Sequence, residues 1–279
     1  MFKLSRRQTI KVLLAATPAA AAIDAFFVEP NLLSITRRDI TLPNLPPELD
    51  GFTIAQLSDI HYKPDKDHDL LVKVVNAVNA ENVDYIALTG DYVTEDSAVL
   101  IPLMEHLSQL QSKHGIAATM GNHDGWTNSR DYYRKNFSKA DIPLLINQNT
   151  KLDVNGTPLH IAGTDYVWLG SPDPIKTLVG IPADAPVVAL VHEPDYFDTM
   201  RAVRPIDLQL SGHTHGGQCR IPFIGYAPVK VKYGENYVYG YYQQDGSQLF
   251  VSRGTGTSGI RVRFACPPEL VILTLRSAI

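Results

Sequence analysis

Residues 211–218 read Ser-Gly-His-Thr-His-Gly-Gly-Gln, with two imidazoles one residue apart between glycines. If the extended chain continues through this stretch, His213 and His215 point to the same side, a common way to present metal ligands. Four other polar clusters have related chemistry: Asp59-Ile60-His61, Gly90-Asp91, Gly121-Asn122-His123-Asp124 and His192-Glu193. Together they offer two carboxylates (Asp59, Asp91), four imidazoles (His61, His192, His213, His215) and the amide oxygen of Asn122. A nitrogen and oxygen set without thiolate suits borderline divalent ions such as manganese, iron or zinc. Seven donors exceed the needs of one tetrahedral ion, but they serve two five- or six-coordinate ions if a carboxylate bridges and waters fill the remainder.

Elements of regular structure must bring these clusters together, and each cluster follows a short apolar run. Residues 52–57, 84–89 and 116–119 read as strands separated by amphipathic helices over 67–82 and 97–110, the first with Leu70, Leu71, Val74, Val75 and Val78 on one face. That alternation predicts a layered α/β fold with parallel pairing in the first half. Farther on, 186–191, 206–210, 248–252 and 269–275 read as strands with little helix between them, which predicts a second sheet packed on the first. Five clusters at strand exits fit the crevice that open α/β sheets form at the carboxyl ends of their strands.

Composition narrows the class. The chain has 279 residues, a net charge of −4 and 44% hydrophobic residues, which suits one large domain. Acidic balance gives no general attraction to nucleic acid, and no nucleic-acid binding is expected. With only Cys219 and Cys266, the chain cannot build a disulfide framework or a four-thiolate zinc site. Arg6-Arg7 precede an alanine-rich apolar stretch from Val12 to Val28, a pattern similar to a twin-arginine export signal, with Ala20-Ala21-Ala22 as a small-residue cleavage site. The expected division is an export signal or anchor over 1–28, a strand and proline-rich connector over 29–50, and the main domain over 51–279.

The ordered series D-x-H, G-D, G-N-H-D, H and G-H-T-H resembles the calcineurin-like metallophosphoesterases, over essentially the whole body from Gly51 to Leu275. The leader, the long form of the histidine motif and the closing Arg253-Gly254-Thr255-Gly256 are similar to an exported bacterial envelope branch, which includes phosphodiesterases and UDP-2,3-diacylglucosamine pyrophosphatases. The resemblance implies a four-layer α/β/β/α sandwich of two packed mixed sheets. It implies hydrolysis of phosphodiester or pyrophosphate bonds by attack of a hydroxide bridging two divalent ions, with manganese favoured. One ion would be held by Asp59, His61, Asp91 and His215, the other by Asp91, Asn122, His192 and His213. His123 would face the substrate and protonate the leaving oxygen or stabilise the transition state, with Asp124 fixing its tautomer. Arg253 would contact a substrate phosphate, with Arg261 and Arg263 as weaker candidates.

The resemblance further implies a monomer that meets the twin-arginine machinery and acts in the periplasm, in the cell wall or on the outer face of the membrane. Its substrate would be a phosphate ester, possibly lipid-linked. Gly125, where this branch often has a larger residue, would widen the site mouth. Trp168-Leu169 and Ile221 to Ile224 are read as core packing rather than as an apolar groove. A non-catalytic metal-binding module is the rival from another class.

Overall fold

In the computed structural model, residues 18–228 and 230–278 are described. The paired arginines and the first part of the apolar run lie outside them. Among the described residues, eleven strands form two sheets. The first has the order β1 (Ser34–Leu42), β11 (Glu269–Ser277), β2 (Thr53–Leu57), β3 (Tyr85–Leu88), β4 (Ile116–Ala118). The second runs β5 (Gln148–Val154), β6 (Thr157–Gly163), β7 (Val187–Leu190), β8 (Leu208–Ser211), β10 (Ser247–Val251), β9 (Gly240–Gln244).

Period-two alternation explains the layers. Ile54, Ala87, Ala117 and Leu273 of the first sheet meet Ile161, Val188, Leu210 and Phe250 of the second in a shared buried layer. On the outer side of the first sheet, Ala55, Leu57, Ile86 and Leu88 pack on helices α1 (Pro64–Glu81) and α2 (Leu100–Leu107). The outer side of the second sheet, through Val187, Ala189 and Val191, packs on Leu178 and Met200 of the short helices Pro174–Leu178 and Phe197–Val203. Helix, sheet, sheet, helix is the four-layer order. Strands buried on both faces carry continuous apolar runs, which is why the sequence marks them so clearly.

The last predicted strand changes sheets. Rather than joining the second sheet, 269–277 inserts in the first, parallel to β1 and antiparallel to β2. Its Leu270, Val271, Ile272 and Leu273 are buried on both sides, and an apolar run does not encode which neighbour covers it. Through the same pairing, the 29–50 segment contributes β1 to that sheet, and Ile40, Leu42, Leu45 and Leu49 to the shared core.

Gln56 on β2 is fully buried, and its side-chain amide donates across the sandwich to the Ser211 carbonyl on β8 at 2.9 Å. This bond fixes the end of one sheet against the end of the other where the polar clusters emerge.

Candidate active site

All five polar clusters meet at one edge of the sandwich, at the carboxyl ends of β2, β3, β4, β7 and β8. Three groups of side chains bring their donor atoms within 4.8 Å of one another: Asp59, His61 and His215; His61, Asp91 and His123; and Asp91, His192 and His213. Asp91 belongs to two of them. The first and last groups each draw on both sheets.

The hydrogen bonds leave the inward atoms free. His192 Nδ1 lies 2.7 Å from the Thr89 carbonyl, so Nδ1 carries a proton and Nε2 is left facing the site. That Nε2 sits 3.1 Å from Asp91 Oδ2 yet has no hydrogen bond. His213 Nε2 donates to the Lys232 carbonyl at 2.7 Å, leaving Nδ1 unprotonated. His61 Nδ1 meets Thr94 Oγ1 at 3.0 Å, and its Nε2 faces His215 Nε2 at 3.1 Å and Asp91 Oδ2 at 3.4 Å. Asn122 Oδ1 is buried with no partner. Lone pairs crowded together on buried side chains are the arrangement that cations resolve, and the donor types fit divalent ions.

Backbone amides set the carboxylates. His213 N–H donates to Asp59 Oδ1 at 2.8 Å, and His123 N–H donates to Asp91 Oδ1 at 2.9 Å. The chain adopts left-handed conformations to do this: Asp59, His61, Asp91, His213 and His215 all have φ between 44° and 70°. Each costs on the order of 1–3 kcal/mol for a non-glycine residue, and such strain concentrates where a site needs it. It also answers the spacing of His213 and His215. The strand stops at Ser211, the extended geometry does not persist, and the rings part, His213 toward His192 at 5.1 Å between centroids and His215 toward His61 at 4.9 Å. Two glycines permit the approach: a Cβ on Gly212 would stand 1.9 Å from Ser58 Oγ, and one on Gly121 2.1 Å from Asp91 Oδ1.

Burial controls the charges. It pushes His213 down to about 3, with His192 adding to the effect, and lowers His215 still more strongly, with His61 next. Burial opposes charge on His192 as well, but the Asp91 carboxylate outweighs it and raises that histidine well above 6.5. For Asp91, burial is likewise outweighed, by His192, and the group is held well below the ordinary carboxylate range. Asp59 is raised by burial, with His192 opposing.

His123 sits in the first turn of the helix Asn122–Thr127. Its Nδ1 binds the Thr94 carbonyl at 2.9 Å, and the ring lines a cavity of about 340 Å³ over the donors, with Trp126, Trp168, Thr214, Gln218 and Ser258. Asp124 does not reach that ring. Its carboxylate accepts the N–H groups of Asp91, Tyr92, Val93 and Gly121 at 2.8–3.3 Å, tying the second and third clusters together from beneath. Burial and then Asp91 push it up to about 8, against those donors. Thr94, the residue that positions both His61 and His123, carries no sequence signal of its own.

The arginines face away from the cavity. Arg253 binds Glu269 and Ser34 at 2.9 Å each and stacks on Tyr239. Arg261 pairs with Asp67 at 3.1 Å. Arg263 is fully buried and spends its guanidinium on the carbonyls of Arg253, Gly254, Gly256 and Cys266. Placing them on the substrate rested on charge alone, which does not reveal a nearby Glu269 or an inward carbonyl cage. Gly125 lies against Tyr166, whose ring would stand 2.1 Å from an added Cβ, so it admits Tyr166 rather than widening the mouth. Cys219 and Cys266 are both free. Trp168-Leu169 and Ile221 to Ile224 are not core: Leu169, Ile221, Phe223 and Ile224 are exposed, and Trp168 lines the cavity beneath Lys232. Buried Glu193 receives the N–H groups of Val167 and Trp168 at 2.9 Å, which sets that indole at the mouth.

The chain is similar in sequence to known proteins. A family profile described as calcineurin-like phosphoesterase matches residues 52–217. An uncharacterized metallophosphoesterase of Bacillus subtilis, YkuE, is 32% identical over 99% of both chains. A phosphodiesterase of Escherichia coli, YaeI, is 30% identical over 98% of this chain and 99% of its own. A UDP-2,3-diacylglucosamine pyrophosphatase of Chlamydia trachomatis, LpxG, is 26% identical over 92% and 94%.

Proposed function

The chain belongs to the calcineurin-like phosphoesterases, and from that membership we propose that it hydrolyses phosphodiester bonds with a pair of divalent ions held by its seven convergent donors. The observation that carries this reading is the sharing of Asp91 between two donor groups, with Asn122 Oδ1 and His192 Nε2 buried and unpartnered beside it. Asp59, His61, Asp91 and His215 would hold one ion, and Asp91, Asn122, His192 and His213 the other. Bound there, two divalent cations supply charge for the phosphoryl oxygens and acidify water near neutral pH.

The protein's own groups do the rest. Asp91 and Asp59 stay oriented by backbone N–H donors, so the donor geometry does not reorganise during reaction. His123, tethered at Nδ1 by donating to the Thr94 carbonyl, directs Nε2 into the cavity, where in its doubly protonated form it gives the Nε2 proton to the leaving oxygen. Trp126 and Trp168, edge to face at 4.8 Å, wall off one side and limit water. A second reading, cleavage of a lipid-linked pyrophosphate, is supported by the apolar side chains exposed beside the mouth. Paired arginines before the apolar leader support export across the cytoplasmic membrane.

The test is a screen of metal-reconstituted protein against monoesters, diesters and pyrophosphates, including bis-p-nitrophenyl phosphate and a lipid-linked pyrophosphate. Diester turnover that a chelator abolishes is expected. Turnover unaffected by chelation sinks the two-metal reading, and a strong preference for the lipid-linked substrate favours the second.

A further inference from the structure

The metal cavity opens beside an exposed apolar surface that no part of the described chain covers. One half is the turn after the histidine motif. Arg220 braces it by binding the Gly225 carbonyl at 2.7 Å and that of Gly216 at 3.2 Å, while Ile221 N–H donates to the Tyr226 carbonyl at 2.9 Å. The turn is therefore built, and it holds Phe223 and Ile224 outward, 110% and 75% exposed. The other half is the helical segment 18–31. Its inner face carries Ala25, whose carbonyl accepts the Arg263 N–H, and Glu29, whose carboxylate caps the amides of Ala265 and Cys266. Its outer face presents Ile23, Phe26, Phe27 and Val28 to solvent, the reverse of an ordinary surface helix.

One strip of chain joins the halves. Residues 263–266 bind the helical segment on one side and, through the Phe264 carbonyl and Arg220 N–H at 2.8 Å, the turn on the other. Topology places both at the catalytic edge. β11 is antiparallel to β2, and β1 is parallel to β11, so β1 starts where β2 ends, at the donors. The segment leading into β1 thus emerges on the side where the cavity opens, and Gln218 and Ser258, which flank the turn and the strip, line that cavity.

We propose that this surface docks the enzyme on an anionic phospholipid bilayer, with its metal cavity at the membrane surface. Paired apolar tips held out beside a cleft form the shape of an interfacial anchor. Charge agrees: residues 219–232 contain Arg220, Lys230 and Lys232 and no acid, in a chain of net charge −4. The chain upstream continues the pattern, with Lys3, Arg6, Arg7 and Lys11 ahead of the apolar run that leads into residues 18–28.

The experiment is sedimentation of full-length, metal-loaded protein with vesicles of phosphatidylglycerol and phosphatidylethanolamine, with phosphatidylcholine vesicles as the neutral comparison and no substrate present. Binding to the anionic vesicles is expected, weakened about tenfold or more in the double variant Phe223→Ser/Ile224→Ser. Turnover of bis-p-nitrophenyl phosphate by that variant should match the parent, since neither side chain touches the cavity. A Phe223→Trp variant should gain fluorescence quenched by brominated lipid beyond the quenching of the parent. Unchanged partition of the double variant with no added quenching overturns the proposal. So does a concentration-dependent dimer that the same substitutions dissolve, because the surface would then serve a second copy. Because binding is read without turnover, failure of docking and failure of the hydrolytic reading are distinct results.

Discussion

His192 aims Nε2 at Asp91 Oδ2 from 3.1 Å, with its Nδ1 proton already given to the Thr89 carbonyl. Beside the Asp91 carboxylate that nitrogen takes up a cation, a proton in the metal-free protein or a metal ion where one binds. Asp91→Asn should therefore lower bound metal from about two equivalents toward one or none, measured by elemental analysis after desalting. Chelation of the parent should lower its melting temperature, since loss of a ligand present at about 100 times its dissociation constant removes about 2.7 kcal/mol. Full metal retention by Asp91→Asn would remove its bridging role.

His123 is held by Thr94 and contributes no more than one donor at the periphery of the group. His123→Ala should keep both ions and lose about 10²–10⁴-fold in kcat for a diester with a poor leaving group. The loss should shrink for an activated nitrophenyl leaving group, which needs no proton. Release of both ions would show that His123 serves as a ligand.

Asp124 supports the loops of two clusters rather than the imidazole. Asp124→Ala leaves four buried N–H groups without an acceptor and should cost about 3–5 kcal/mol in urea unfolding. If instead it left stability intact and moved only the pH profile of kcat, it would be the tautomer partner of His123 by some route other than the observed contacts.

A methyl at 212 would collide with Ser58 and with Asp59 Oδ2, the latter at 2.1 Å. Gly212→Ala should selectively weaken the ion of Asp59, His61 and His215, so that one equivalent is lost at lower chelator concentration than the other. Equal affinity for both equivalents would contradict the assignment of Asp59 to one side.

Acid should destabilise the metal-free protein through His213. Its folded value lies at about 3 against 6.5 in the unfolded chain, so between those limits the unfolded state binds more protons. Stability therefore falls as pH drops from about 6.5 toward 3, by up to about 1.4 kcal/mol per pH unit for this site. His213→Asn should flatten that slope in denaturation curves collected between pH 6.5 and 5. An equal slope in the variant would assign the acid sensitivity elsewhere.

The donors were legible because coordination chemistry restricts residue type and because each stands at the end of a strand whose burial on two faces forces an apolar run. Their second neighbours were not. Thr94, Lys232 and Glu193 act through a carbonyl, a carbonyl and a buried carboxylate, and contacts of that kind depend on tertiary approach, not on local pattern. Arg253 shows the converse: its charge suggested phosphate, and only the fold reveals Glu269 beside it. The hairpin β5–β6, turning at Asn155-Gly156, carries a recognisable signal, whereas the short 240–244 strand has none strong enough to separate it from loop.

The place of β11 bears on when the protein becomes itself during synthesis. This strand lies between β1 and β2, yet it follows every other strand of the two sheets in the sequence. Until residues 269–277 appear, β1 has no partner in the sheet, β2 has an open edge, and Glu269 is not there to steady Arg253 beside the Gly254–Gly256 turn. A nascent chain can form its second sheet early, but it cannot close the first or steady the turn beneath Asp59 before residues 269–277 have been made. Metal capture is thereby deferred until residues 269–277 are in place, and a chain stopped short of Glu269 would lack an interior strand of the first sheet.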